Sequence, residues 1–352
     1  MNKTHVDWQE IPQRRDPADF NNLLSVLQRR EPDRPTLFEF ILNDRLFNTV
    51  VSGPEPRDLM SGLHRNIAAF YRLGFDHSTV QVPGFGFKDQ IVRRSAATIS
   101  LNEGALIHNR HDFKTFAWPD PEIAAYDILD QIAPDLPAGM KLIPFSPDGV
   151  LENVINLVGY EALCFMLVDD PQLVENVFEQ VGSRLLRYYE KTIRYDCVGA
   201  CIVNDDWGFK TSTLLSVASL RRLVFPWHKR IVEACHAAGI PAILHSCGYF
   251  EKIIEDIIEE MKFDGRHSYE DAILPVEEAY ERYHERIAIL GGIDVDFICR
   301  SSPEEVYQRS RAMLERATGR GCYALGTGNS VPEYMPQANY LALVRAALDM
   351  RS

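Results

Sequence analysis

Pro241-Ala242-Ile243-Leu244-His245-Ser246-Cys247-Gly248 carries an apolar run straight into a His-x-Cys pair and a glycine. Such a run reads as a buried parallel strand that ends in a loop bearing two metal-capable side chains. Residues two apart on a strand point the same way, so His245 and Cys247 look into one space. An imidazole and a thiol together form a soft N/S pair suited to zinc. The other reading of the same residues is a core histidine beside a small buried cysteine.

The same pattern, an apolar strand stopped by polar or glycine-rich residues, recurs on both sides of this stretch. Strands are expected over residues 36–42, 79–82, 141–145, 199–203, 263–268, 287–290 and 322–325, which with the His-x-Cys strand makes eight. Helical sequence separates them, over 57–73, 121–132, 150–168 with 171–194, 217–238, 250–261, 276–284, 303–316 and 337–349. An amphipathic helix entered at Asp16-Pro17-Ala18-Asp19 and running to about residue 29 forms an N-terminal extension. A small hairpin over 94–107, turning at Asn102-Glu103-Gly104, reads as an insertion after the second strand. Eight strand-helix repeats make a (β/α)8 TIM barrel the economical fold, one domain over residues 1–352. An open doubly wound sheet fits less well, because no G-x-G-x-x-G follows the first strand and the polar clusters recur at most strand ends.

Composition narrows the partners. A formal net charge of -13 with no Lys/Arg block offers nothing to neutralise a phosphate backbone, which argues against nucleic acid. No run reaches the roughly 18 to 20 apolar residues of a membrane helix, and no apolar core follows Met1 to Trp8, so a cytoplasmic chain is expected. Seven scattered cysteines, an odd number, suit reduced thiols.

In a barrel, the carboxyl ends of the strands share one face, and active sites lie there. That rule gathers Glu39, Gln81, Asp148, Asp205, Asp206, His245, Cys247, His267, Glu270, Asp294, Thr327 and Asn329. Polar groups in that number are costly unless solvated, paired or used, which favours an enzyme over a retired barrel that only binds. Catalytic zinc usually takes three protein ligands and keeps one position open. Cys322 begins its strand, roughly 16 Å below the mouth at about 3.3 Å per residue, and is rejected as the third. The remaining candidates are Glu39, His267, Glu270 and Asp206, with the neighbouring sixth strand favouring His267 or Glu270.

Asn204-Asp205-Asp206-Trp207-Gly208, His245-Ser246-Cys247-Gly248, Leu290-Gly291-Gly292-Ile293-Asp294 and Leu325-Gly326-Thr327-Gly328-Asn329-Ser330-Val331-Pro332, in this order and spacing, resemble the uroporphyrinogen decarboxylase superfamily. The resemblance implies a (β/α)8 barrel and one of two activities. True decarboxylases of that superfamily carry an arginine-rich loop after the first strand and a histidine between two glycines after the last. Here the first segment, Phe38 to Arg45, holds one arginine, and the glycine pair encloses Thr327. A substrate with many carboxylates needs cationic partners, so that activity is not expected.

The other branch comprises zinc-dependent methyltransferases that move methyl groups between corrinoid proteins, methylated substrates and thiols. Their metal motif is His-x-Cys followed by a cysteine at the end of the last strand, and His245 and Cys247 match its first part while Thr327 stands at the last position. The resemblance therefore implies a zinc methyltransferase with His245 and Cys247 on the metal, and a corrinoid carried by a partner protein. Asp205, Asp206 and Glu270 are the catalytic candidates; Glu39, Gln81, Asp148, His267, Asp294, Thr327 and Asn329 are the substrate-binding ones. The alternative is a metal-independent decarboxylase of a smaller acid, in which Asp205 or Asp206 stabilises a protonated intermediate.

Overall fold

The computed structural model describes residues 6–87, 102 and 105–351. Among these lie seven strands: β1 (His77–Gln81), β2 (Lys141–Phe145), β3 (Cys201–Asn204), β4 (Ala242–His245), β5 (Gly265–His267), β6 (Ala288–Leu290) and β7 (Tyr323–Ala324). They follow one another in the sheet in chain order, with β2 and β3, β3 and β4, β5 and β6, and β6 and β7 paired in parallel. Helices fill most of the connections, the arrangement that parallel pairing requires. The chain divides into two compact units, one of Met1–Val80, Asp130–Ile143 and Asp264–Ser352, the other of Gln81–Leu129 and Pro144–Phe263.

In the first unit, the strand expected over 36–42 is reduced to a single parallel bridge between Leu37 and Leu325. Two backbone bonds hold it, Phe38 N to Leu325 O and Leu325 N to Thr36 O, both 2.8 Å. Pairing stops there because side chains take the next carbonyls. The Thr79 hydroxyl donates to Phe40 O at 2.8 Å, and His77 Nε2 lies 3.2 Å from Glu39 O. The bridge nevertheless joins the first extended segment to the flank of the last strand. Helix Leu59–Arg72 starts at a capping box made by Asp58 and Ser61, and packs Leu63, Ile67 and Phe70 inward. The N-terminal helix is shorter than expected, Asn21–Leu27, because Asp19 rather than Asp16 bonds the first free amide at Asn21. Beneath β1, the buried Asp76 accepts from Arg14 at 2.7 Å, Arg34 at 2.9 Å and the Asp19 amide at 3.0 Å.

In the second unit, helix Pro171–Thr192 buries Leu173, Val177, Phe178, Val181, Leu185 and Tyr189 at helical spacing. Its tyrosines also tie it to strand ends, Tyr188 donating to Phe145 O at 2.8 Å and Tyr189 to Ile202 O at 2.7 Å. The preceding helix is broken at Gly159 into Val150–Val158 and Tyr160–Asp169, with a bend of 91°. Among the described residues no single helix is long and apolar enough to cross a membrane. The helix expected over 121–132 is a 3-10 turn at Pro121–Ile123 and a short helix Ile128–Ile132, interrupted where the Ala125 amide turns to Pro83 O at 3.0 Å. The expected hairpin lies outside the described residues, apart from Asn102 and its last three positions.

Candidate metal centre

Strands β3 and β4 pair in register over four positions, the last of them Asn204 against His245. The Asp205 amide then donates to His245 O at 2.9 Å, extending the ladder by one bond. Asp206 and Cys247 each stand two residues past the last paired positions, Asn204 and His245. The loops beyond the strands are drawn together backbone to backbone. Tyr249 N donates to Phe209 O at 2.7 Å, and a Cβ on Gly248, whose φ is +83°, would lie 2.0 Å from Gly208 O. Glycine is needed there both for the left-handed backbone and for the approach.

The result is a donor set of three types. One ligand atom each from Asp206, His245 and Cys247 lies within 4.8 Å of the others. Cys247 Sγ is 3.7 Å from His245 Nε2, close to the roughly 3.6 Å that tetrahedral zinc imposes between a sulfur and a nitrogen ligand. The Cys247 amide donates to Asp206 Oδ1 at 2.7 Å, which fixes the carboxylate beside the pair. His245 is buried, while Cys247 and Asp206 are half-buried. Three ligands of N, S and O character with one side toward solvent fit a zinc ion with an open position.

Asp205 points the other way and is fully buried. Its carboxylate accepts from Leu151 N at 2.9 Å, Glu152 N at 3.0 Å, Trp207 Nε1 at 2.8 Å and His228 Nε2 at 2.8 Å. It thus caps helix Val150–Val158 from outside the helix, anion against the free amides of the first turn. The approach requires Gly149, where a Cβ would sit 2.2 Å from Asn204 O. The Glu152 side chain, in that first turn, accepts from Gly149 N through Oε2 at 2.9 Å. Burial raises its pKa well above the usual carboxylate value, and the charges of Asp206, Asp205 and Asp148 raise it further. Asp148 itself is exposed, with φ +57°, and accepts from Asn156 at 3.1 Å. Gln81 ends β1, half-buried.

The other expected residues lie in the first unit. Glu39 is fully buried, and Thr327 donates to it twice, from Oγ1 at 2.7 Å and from N at 3.2 Å, with the Tyr340 hydroxyl 3.4 Å away. Burial outweighs these bonds and pushes the Glu39 pKa up to about 8. His267 Nε2 lies 3.1 Å from Thr327 O, and burial lowers both His267 and His77 to about 4, so both rings are neutral. Phe38 is packed between them, its ring 5.3 Å from each. Asp294 is a helix cap, accepting from Phe297 N at 2.8 Å and from Asp271 N at 2.9 Å. Asn329 Oδ1 accepts the Ser330 amide at 2.7 Å, and Asn329 O competes with Glu39 for the one proton of the Thr327 hydroxyl. Glu270 is half-buried, its carbonyl bonded by the amides of Ile273 and Leu274 at 2.9 Å each. The structure therefore places Asp206 with His245 and Cys247, and gives Glu39 and His267 partners around Thr327.

Sequence reasoning passed over His228, Glu152, Tyr340 and His77. His228 lies on the buried face of a helix, where a histidine reads as core. Glu152 is one of many helix-surface carboxylates by pattern, although its place three residues after Gly149 is a capping-box signal.

A parallel α/β sheet with functional groups gathered beyond its strand ends defines a class in which ligands bind at the carboxyl ends of the strands. Within that class the chain belongs to the uroporphyrinogen decarboxylase family: the pattern of Uroporphyrinogen decarboxylase (URO-D) matches residues 105–350. Among solved structures, a methyltransferase from Methanosarcina mazei superposes with a TM-score of 0.73 at 16% identity, over 96% of this chain and 100% of that one. The two share a fold. A sugar phosphate isomerase/epimerase from Parabacteroides distasonis is matched at a TM-score of 0.32 and 14% identity, over 82% of this chain and 87% of that one. No curated protein sequence matches the chain.

Proposed function

We propose that the chain is a zinc-dependent methyltransferase of the uroporphyrinogen decarboxylase family, a (β/α)8 barrel that moves a methyl group between a methylated small molecule, a corrinoid protein or a thiol. The observation that carries this reading is the Asp206, His245 and Cys247 donor set at the ends of β3 and β4. The bridge from Leu37 to Leu325 supports a closed barrel, since it joins the first extended segment to the last strand. A solved methyltransferase shares this fold, which accords with this branch. Seven free cysteines suit a reducing, cytoplasmic setting.

Zinc in this site would supply Lewis acidity, lowering the pKa of a thiol or polarising an ether oxygen at the open position. Asp206 makes the donor set harder than one with a second thiolate would be, which suits an oxygen-bearing methylated substrate. Cys247 would hold the ion as a thiolate, and its own amide keeps Asp206 aimed at the pair. Asp205 is engaged by four donors and supports the loop instead of reacting.

The test is metal content per chain in the wild type and in Cys247→Ser, followed by methyl transfer from methoxylated compounds to a free corrinoid. About one zinc per wild-type chain, lost in the variant, is expected for a three-ligand site. A metal-free wild type that decarboxylates a small acid would replace this reading with the metal-independent one.

A further inference from the structure

Resting on the zinc assignment, we infer that His228 is a positioning residue for the metal centre, acting through Asp205. His228 lies on helix Phe225–Ala237, fully buried, and its Nε2 donates to Asp205 Oδ2 at 2.8 Å. The Trp207 indole donates to the same oxygen at 2.8 Å and meets the imidazole edge-on, with ring centroids 4.9 Å apart. Two rigid rings and two helix amides thus hold one carboxylate in one orientation.

Asp205 and Asp206 are adjacent just past the end of β3, and their carboxylates have separate partners, helix amides and the Trp207 and His228 rings for the first, the Cys247 amide for the second. Fixing the first therefore restrains the backbone from which the second projects. The Cys247 amide donates to Asp206 Oδ1 at 2.7 Å, and Asp206 is a half-buried residue on a loop. A carboxylate there needs its backbone held to stay within reach of His245 and Cys247. The ladder ends with the bond from Asp205 N to His245 O, so the clamp on the Asp205 side chain fixes the residue at which pairing stops and from which Asp206 departs. Partners behind metal ligands commonly govern metal affinity in this way.

The experiment uses the full chain, with zinc affinity measured by competition against a chromophoric chelator and with the visible spectrum of the cobalt-substituted protein. Three chains are compared: wild type, His228→Leu, which removes the donor, and His228→Gln, which keeps an N–H near the Nε2 position. Zinc binding about tenfold weaker in His228→Leu, with a changed cobalt spectrum and recovery in His228→Gln, is the expected result. Wild-type affinity and spectrum in a folded His228→Leu would overturn the inference and leave the zinc assignment standing. Should His228→Leu fail to fold, Trp207→Phe removes the second donor to the same oxygen at nearly constant shape. Unchanged zinc affinity in Trp207→Phe would equally overturn the inference. A wild-type chain that binds no zinc would remove both.

Discussion

At the scale of single residues, the centre rests on a period-two rule and one hydrogen bond. His245 and Cys247 were legible because strand alternation places residues two apart on one side, and their ligand atoms lie 3.7 Å apart. Asp206 was one of four candidates for the third ligand, because choosing among them takes the strand register, which sequence does not carry. Asp206→Ala should weaken zinc binding by at least about tenfold while the chain stays folded, read by chelator competition and thermal unfolding. The Glu39 cluster yields a pH prediction. Between 4.5 and about 8 the folded state holds a proton on Glu39 that the unfolded chain has lost, so this group's contribution falls as pH rises through that window. His77 and His267, lowered from 6.5 to about 4, act oppositely and lose stability as pH falls through their window. Each group contributes at most about 1.4 kcal/mol per pH unit. Above 6.5 only Glu39 titrates; below it the two histidines outweigh it. Stability from this cluster should therefore peak near pH 6.5, and Glu39→Gln should flatten the decline between 6.5 and 8 in urea titrations. A decline that persists unchanged in Glu39→Gln would assign it to other groups.

At the scale of elements, strands of strong apolar character were readable and weakly bonded ones were not. Residues 141–145 match β2 because five consecutive positions pair or pack. Residues 36–42 have the same composition, yet side chains of Thr79 and His77 occupy the carbonyls that a strand partner would use. Competition of this kind is decided by residues some forty positions away, outside any local pattern. The helix expected over 250–261 is present without a break over 251–260, wound as a 3-10 turn at Glu251–Ile253 and as a π turn at Asp256–Glu260. Helix Val150–Val158 shows how an element and the centre depend on each other. Its amino end rests on Asp205 only because position 149 has no side chain. Gly149→Ala would place a methyl group 2.2 Å from a backbone oxygen and 2.3 Å from Asp205 Cβ, neither of which can rotate away. Equilibrium unfolding in urea should show a loss of about 2 kcal/mol or more, the range of overpacked sites. Gly239→Ala supplies the control. With φ +74° and nothing within 4 Å of the new Cβ, it should lose only about 1 kcal/mol, from backbone strain alone.

At the scale of the whole molecule, distant parts of the chain meet at Asp76. Its Oδ1 accepts from Arg14, Arg34 and the Asp19 amide, while Asp16 pairs with Arg34 at 2.8 Å and lies 3.5 Å from Arg351. Arg14 also donates to Phe75 O at 2.6 Å, and Arg351 to Pro35 O and Gly74 O at 2.8 and 2.9 Å. Residues 14–19, the residues just before β1 and the last residue described are thereby fastened within one unit. In a chain of formal charge -13, a buried cluster with three guanidiniums is a local inversion of sign, so the carboxylates hold it together and not the reverse. Removing Asp76 would leave Arg14 and Arg34, 5% and 14% exposed, without their shared acceptor. The loss of one partner from a buried pair costs about 3–5 kcal/mol, much of it the desolvation of the charge left behind. Asp76→Ala should accordingly lower Tm by several degrees and expose the N-terminal segment to proteolysis before global unfolding. Adding Arg14→Met to that variant should recover part of the loss, because it removes a stranded charge and keeps the volume. If the double variant is no more stable than Asp76→Ala, the single loss comes from the broken Asp19 amide bond or the stranded Arg34 and not from Arg14.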